Sequence, residues 1–186
     1  MRESHTPEEL REFLRYEEDT GKLFWRLRNE SHFAEGKYSP ARLMKRWNTL
    51  FAGKEAGSVH TDPKDGYQFH CIRLGKRLYK SSRVIWAMKR GVWPDKDIDH
   101  RDTDSLNNRW GNLRKATKSE NAWNRRTFRG RRYKGVHFHI QRQKWIARIT
   151  VHSVQYHLGV FDTPEEAYVK VCEARLKYHG EFARAA

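Results

Sequence analysis

The chain has 186 residues and a formal net charge of +15, because 38 lysines and arginines outnumber 23 acidic residues. Its mean hydropathy is −1.00 and no apolar run approaches the roughly 20 residues of a membrane span, which argues against a membrane protein. The charged N-terminus predicts no secretory signal. Cys71 and Cys172 are too far apart in the sequence to indicate a disulfide framework or a zinc finger. These features predict a cytoplasmic globular protein that binds a polyanion.

The positive charge is concentrated between residues 101 and 150, where 14 basic residues accompany three acidic ones. Aromatic residues such as Trp123 and Tyr133 are interleaved with this charge, which is typical of nucleic-acid binding. A solvated surface that only aids solubility is the alternative interpretation. The densest stretch predicts contacts with a phosphate backbone from Arg125, Arg126, Arg129, Arg131, Arg132 and Lys134.

Residues 1–94 predict a small α+β unit that leads into the next segment. The stretch Thr6-Pro7-Glu8-Glu9 combines an N-cap residue, a proline and two acidic residues, so a helix is expected to begin there. Residues 29–48 are polar and predict a long loop. The other predicted elements are strands over 22–26, 68–73 and 76–79, with a turn at Leu74-Gly75, and a helix over 81–89.

The segment 95–126 predicts a strand, a loop, a second strand and a helix, in that order. Thr117 and Glu120 have the spacing of a capping box, which marks the start of the helix. Polar residues stand at three points of this pattern. They are Asp99 and His100 on the first strand, Asn112 at the second strand and Asn121 near the start of the helix.

These polar residues suit the hydrolysis of a phosphodiester bond. A histidine that is neutral near physiological pH can act as a general base toward water. Hard divalent cations such as Mg²⁺ prefer oxygen ligands, so a carboxylate and an amide oxygen are a suitable pair. A regular strand would turn the adjacent Asp99 and His100 to opposite faces, so that one can hold a metal while the other faces the water.

Residues 133–186 predict a three-stranded antiparallel sheet packed on one helix. Val136 and Phe138 alternate with His137 and His139, which is typical of a strand with one buried face. The predicted strands cover 136–140, 144–150 and 156–161, and the helix runs from Pro164 to Gly180. The face of the sheet opposite the helix carries basic residues.

The middle segment resembles the HNH endonucleases of phages and group I introns. The resemblance is carried by Ile98-Asp99-His100-Arg101-Asp102, Asn107-Asn108, Asn112-Leu113-Arg114 and Ser119-Glu120-Asn121. It implies a ββα-metal core over 95–126, in which Asp99 and Asn121 hold one Mg²⁺ or Mn²⁺ ion. It also implies that His100 is the general base and that Asn112 braces the loop.

The last segment resembles an AP2 DNA-binding domain. The resemblance is carried by Tyr133-Lys134-Gly135-Val136, Lys144-Trp145, Leu158-Gly159-Val160-Phe161-Asp162-Thr163 and His179-Gly180-Glu181-Phe182. It implies that the sheet of residues 133–186 lies in the major groove of double-stranded DNA, and a basic linker over 127–132 precedes it. The implied DNA contacts are Lys134, His137, Arg142, Lys144 and Arg148.

Together these features predict an α+β protein that acts as a metal-dependent, homing-like HNH endonuclease of a phage or mobile element. It is expected to cut one or both strands of DNA in the host cytoplasm, as a monomer or a homodimer. The alternative is a non-catalytic, sequence-specific DNA-binding regulator that keeps the HNH fold as a scaffold. An RNA-binding protein fits less well, because the narrow major groove of A-form RNA excludes a three-stranded sheet.

Overall fold

The structure of the protein is a computed structural model that describes residues 5–124 and 132–183. The chain divides into two compact units, residues 1–115 and 116–186. The helices and small sheets of the described residues confirm the predicted α+β class. Within the same ranges, no helix has both the length and the apolar character that a bilayer crossing requires.

The described part of the first unit contains short strands and three α-helices. The helices are α1 (Pro7–Phe13), α2 (Pro40–Phe51) and α3 (Ser81–Arg90). The strands are β1 (Leu14–Glu17), β2 (Lys22–Trp25), β3 (Ser58–Thr61), β4 (Gln68–Leu74), β5 (Arg77–Lys80), β6 (Asp97–His100) and β7 (Leu113–Ala116). These strands form three sheets, in the orders β1-β2, β3-β4-β5 and β6-β7.

The core of the first unit joins the N-terminal hairpin β1-β2 to helix α3. Leu10 of α1, Leu14 of β1 and Leu23 of β2 are completely or almost completely buried. They belong to one apolar cluster with Val84 and Ile85 of α3. Because burial of apolar side chains is the main stabilising contribution to folding, the hairpin is an integral part of the unit that contains β6 and β7.

Residues 29–48 do not form the predicted loop throughout, because α2 begins at Pro40. Ser39 accepts a hydrogen bond from the first turn, and the proline occupies the first helical position. Trp47 packs edge-on against Trp25, with 5.5 Å between the ring centroids. The prediction was wrong because only one side of α2 is apolar, and the basic residues on its other side made the segment look polar.

The second unit packs a three-stranded antiparallel sheet, in the order β10-β9-β8, on one helix. Its elements are α4 (Lys118–Asn124), β8 (Val136–His139), β9 (Lys144–Val151), β10 (Val154–Phe161) and α5 (Pro164–His179). Val136 and Ala147 of the sheet meet Ala167 and Val171 of α5 in a buried cluster. Thr163 accepts a hydrogen bond from the first turn of α5 and so caps this helix.

Candidate active site

Asp99 and His100 lie at the end of β6, and both side chains are buried, with 5% and 9% of their surface exposed. The carboxylate of Asp99 is held by Arg114 from the neighbouring strand β7. Nε and Nη2 of Arg114 lie 2.9 and 2.8 Å from the same carboxylate oxygen, Oδ2. The structure therefore places a buried ion pair at the position of the predicted metal ligand.

The imidazole of His100 is held by Asn108, a residue of the loop between β6 and β7. Nε2 of His100 lies 3.0 Å from the amide oxygen Oδ1 of Asn108, which is itself 3% exposed. An amide oxygen only accepts hydrogen bonds, so Nε2 donates and Nδ1 carries the basic lone pair of the neutral ring. The amide nitrogen of Asn108 donates to the carbonyl of Leu106 at 3.4 Å, which agrees with this orientation of the amide.

Asn112 uses both ends of its amide on the loop that precedes it. Its nitrogen donates to Oδ1 of Asp102 at 2.9 Å and to the carbonyl of Asn107 at 2.7 Å. Its oxygen accepts from the backbone nitrogen of Asp102 at 3.0 Å. Burial alone would raise the pKa of Asp102, but hydrogen bonds from Asn107, Asn112 and the backbone of Asp104 lower it below its usual value. The loop between His100 and Asn108 is thus fixed from within.

The same loop is also held from outside by the N-terminal hairpin. The hydroxyl of Tyr16 donates to the carbonyl of Asn108 at 2.9 Å, and Nε of Arg109 donates to the carbonyl of Asp19 at 2.6 Å. Gly21 lies close to the loop backbone, and a β-carbon added to Gly21 would be 2.6 Å from the backbone nitrogen of Arg109. Burial, and then the charge of Glu18, raises the pKa of Tyr16 to about 12, so its hydroxyl remains a donor.

Asn121, the second predicted metal ligand, belongs to the second unit, at the start of α4. Thr117 and Glu120 form the predicted capping box, with hydrogen bonds of 2.6 and 3.2 Å. At the other end of α4, Trp123 stacks on His179 with 4.2 Å between the ring centroids. The boundary between the two compact units lies between residues 115 and 116, inside the predicted segment 95–126. The predicted division of the chain into residues 1–94, 95–126, 127–132 and 133–186 stays a prediction.

The donor chemistry at these positions fits a hard divalent cation. Asp99 offers a carboxylate oxygen and Asn121 an amide oxygen, the ligand types that Mg²⁺ and Mn²⁺ accept. In residues 5–124 and 132–183, no cluster of three or more histidine, cysteine, aspartate or glutamate side chains is arranged to hold a metal. The metal-ligand roles of Asp99 and Asn121 stay predictions, and in this structure the Asp99 carboxylate is paired with Arg114.

The residues predicted to contact DNA lie in different environments. His137 is exposed on β8, and Arg148 of β9 lies beside His157 of β10, on the sheet face opposite α5. Lys144 forms an ion pair with Asp162. Arg142 is exposed in the turn after β8, and Arg132 lies over the ring of Tyr133. Arg125, Arg126, Arg129 and Arg131 lie outside the described residues.

Lys134 has a structural contact as well as a predicted role in DNA binding. Its ammonium donates to the carbonyls of Ala122 and Trp123 at 2.9 and 3.1 Å, at the end of α4. A cation at this position satisfies carbonyls that have no partner inside the helix. Its place as a DNA contact therefore stays a prediction.

The sequence predicted no separate role for Asn108, Arg114, Tyr16 or Gly21. The residue types around Asn108 and Arg114 did give a signal, because both stand inside the motifs Asn107-Asn108 and Asn112-Leu113-Arg114. The sequence contained no signal for the contacts of the hairpin with the loop, because Tyr16 and Asn108 are 92 residues apart.

Comparison with known proteins agrees with the local geometry. The HNH endonuclease family matches residues 79–123, the segment that contains α3, the strands β6 and β7 and most of α4. This segment is therefore an HNH endonuclease domain. The chain is 31% identical to protein 3.8 of Escherichia phage T7 over 115 residues, which is 59% of this chain and 94% of that protein. The chain belongs to the same family as this phage protein. No solved structure matches it significantly.

Proposed function

We propose that the protein is a divalent-metal-dependent endonuclease that hydrolyses phosphodiester bonds in double-stranded DNA. The observation that carries the proposal is the buried hydrogen bond between His100 and Asn108 inside the HNH domain. This bond leaves the basic lone pair of the neutral imidazole on Nδ1, as a general base requires.

In the proposed reaction, Nδ1 of His100 accepts a proton from a water molecule as the water oxygen bonds to phosphorus. The bond from phosphorus to the 3′-oxygen breaks, and this oxygen takes a proton from solvent. The products are a 5′-phosphate and a 3′-hydroxyl. Bound Mg²⁺ or Mn²⁺, with Asp99 and Asn121 as its protein ligands, would neutralise charge at phosphorus and at the leaving oxygen.

The residues around His100 position the base without touching the reacting atoms. Asn108 orients the imidazole, while Asn112 and the contacts of Tyr16 and Gly21 hold the loop that carries Asn108. Placing a catalytic group in advance removes an entropic cost from the reaction. The N-terminal hairpin thus contributes to catalysis through the loop.

In this proposal, the second unit supplies contacts to DNA through an AP2-like sheet. The face opposite α5 carries His137 and Arg148, and the exposed Arg142 follows β8. A cationic and a hydrogen-bonding side chain on one sheet face suit a phosphate backbone, and the resemblance to AP2 domains implies that the sheet lies in the major groove. A homing-like role in the host cytoplasm is part of the same proposal.

The test is supercoiled plasmid incubated with the protein and Mg²⁺ or Mn²⁺, next to an EDTA control. We expect open-circle or linear product with the wild-type protein and none with His100→Ala. His60→Ala, which removes an exposed histidine on β3, is the matched control and should cut normally. The ratio of the two products distinguishes nicking from double-strand cleavage.

If the plasmid stays intact under all metal conditions while a gel shift shows that DNA is bound, the proposed endonuclease activity is overturned. That outcome favours a non-catalytic DNA-binding regulator. The Asp99–Arg114 ion pair is the observation that suits this second function, because it engages the predicted metal ligand within the protein.

A further inference from the structure

We propose that α2 of the first unit binds the phosphate backbone of duplex DNA, as a contact separate from the sheet of the second unit. The inference rests on the proposed function, because it takes DNA as the substrate. It concerns a helix that the polar composition of residues 29–48 concealed, and it gives the unit that carries Asp99 and His100 a DNA-binding surface of its own.

The charge of the segment around α2 is of one sign. Residues 36–54 contain five basic side chains and no acidic ones. Within α2, Arg42, Lys45 and Arg46 are exposed. Among the residues that the structure describes, no ion pair joins any of these three to a carboxylate. Lysines and arginines clustered along one helix create a positive potential that attracts nucleic acid, so this basic helix suits a polyanion.

The three cations occupy one side of the helix. Residues three and four apart in an α-helix lie on the same face, so Arg42, Lys45 and Arg46 form a single row. Arg42 lies over the ring of Tyr38, with 4.8 Å from its guanidinium carbon to the ring centroid. This contact keeps the arginine close to the start of the helix. Arg42 and Arg46 are four residues apart, which is about 6 Å along the helix axis, so the row presents three positive charges within little more than one turn.

The opposite side of α2 is fixed to the body of the unit. Asn48 exchanges two hydrogen bonds of 2.9 Å with the backbone of Arg28. The guanidinium of Arg28 lies 4.2 Å from the centroid of the Trp47 ring, and Trp47 packs on Trp25. Since the apolar side is committed to these contacts, the basic row must face away from them.

The hairpin β1-β2 connects α2 with the active-site loop. At one end of β2, Trp25 exchanges backbone hydrogen bonds with Gly53 and Lys54, directly after α2, at 2.8 and 3.0 Å. At the other end, Gly21 packs against Arg109. Four residues of strand span about 13 Å at roughly 3.3 Å per residue. The same short strand therefore contacts the segment after α2 at one end and the active-site loop at the other.

The test measures DNA affinity against salt concentration, by fluorescence anisotropy with a labelled duplex of about 30 base pairs in EDTA, so that no cleavage occurs. The variant Arg42→Gln/Lys45→Gln/Arg46→Gln keeps helix-forming side chains and removes three charges. The matched control, Lys64→Gln/Lys76→Gln/Lys177→Gln, removes three exposed charges elsewhere. Circular dichroism and thermal melting establish that both variants are folded.

We expect the α2 variant to bind about tenfold or more weakly, with a salt dependence reduced by roughly one unit of slope per lost phosphate contact. The control should change the slope by less than one unit. Equal affinities and slopes for the two variants would overturn the proposal. So would a loss of binding confined to a duplex RNA of the same length.

A failure of the proposed role of α2 can be distinguished from a failure of the endonuclease proposal. A wild-type protein that binds the duplex but leaves plasmid uncut overturns the catalytic function, and the comparison of the two variants still decides the role of α2. A wild-type protein that cuts plasmid, with an α2 variant that binds as the control does, overturns only the role of α2.

Discussion

Arg114 donates to Asp99 through two nitrogens that converge on one carboxylate oxygen, and each side chain of the pair is only 6% exposed. The effect of Arg114 on Asp99 should differ between the metal-free protein and a metal-bound one. Without metal, the guanidinium is the buried counter-charge of the carboxylate. With a cation at Asp99, two positive groups would share it.

The first prediction concerns the stability of this pair. Arg114→Met should lower the free energy of unfolding by about 3–5 kcal/mol, because it removes a buried counter-charge from Asp99. Addition of Mn²⁺ should then raise the melting temperature of the variant more than that of the wild-type protein. Lys115→Met, which breaks the exposed pair with Asp95, is the control and should have a much smaller effect. An equal response of wild type and Arg114→Met to Mn²⁺ would contradict binding at Asp99.

The second prediction concerns the orientation of the proposed base. Asn108→Leu should remove the acceptor for Nε2 of His100, so that the neutral ring populates both tautomers. Nitrogen-15 NMR of the imidazole should report this change directly. We expect kcat to fall by up to ~10²-fold, part of the contribution of a general base, while KM changes little. A variant with the wild-type tautomer and a raised KM would show that Asn108 does not position His100.

The third prediction concerns the contact between hairpin and loop. Gly21→Ala places a β-carbon at a φ of +75° and 2.6 Å from the backbone of Arg109. It should cost ~2 kcal/mol or more, the left-handed conformation alone accounting for about 1 kcal/mol. Gly75→Ala is the matched control, since its φ is +58° but nothing lies within 4 Å of the new atom. Chemical denaturation of both variants would separate the two effects, and equal losses would exclude a role for the close contact.

The fourth prediction concerns the pH dependence of stability. Burial lowers the pKa of His70, which lies 2.7 Å from the hydroxyl of Ser81, and burial likewise lowers the pKa of His179. The unfolded chain therefore binds protons more readily than the folded chain. Stability should be greatest above about pH 6.5 and should decline as the pH falls through that value.

Urea denaturation at a series of pH values between about 7.5 and 5 would measure this decline. His70→Asn should reduce the dependence on pH, whereas His60→Asn, at an exposed position on β3, should leave it as it is. A stability that rises on acidification would be the opposite of the expected sign.

Much of the local structure could be predicted because its signals are local. The stretch Thr6-Pro7-Glu8-Glu9 and the proline Pro164 correctly marked the starts of α1 and α5. The turn at Gly75 correctly marked the hairpin β4-β5. In each of these cases, the residues that determine the structure are within a few positions of one another.

The contacts of the site could be predicted less well, because they depend on tertiary packing. The sequence indicated that Asp99 and His100 are chemically important, but not that Arg114 pairs with the first and Asn108 with the second. Several polar residues of the loop could have filled either role. The contact of Tyr16 with the loop depends on two segments that only the folded core brings together.

The contact of Gly21 with the Asn108–Arg109 backbone has a consequence for how such genes can recombine. An exchange limited to the matched segment, residues 79–123, would transfer the loop but leave its hairpin in the parent chain. The recipient would then need a glycine-containing turn of its own, in the same place, to keep the loop in position. A functional exchange between phage relatives should therefore take the N-terminal hairpin along with the nuclease motif, and crossover points should cluster after β7 rather than before α3.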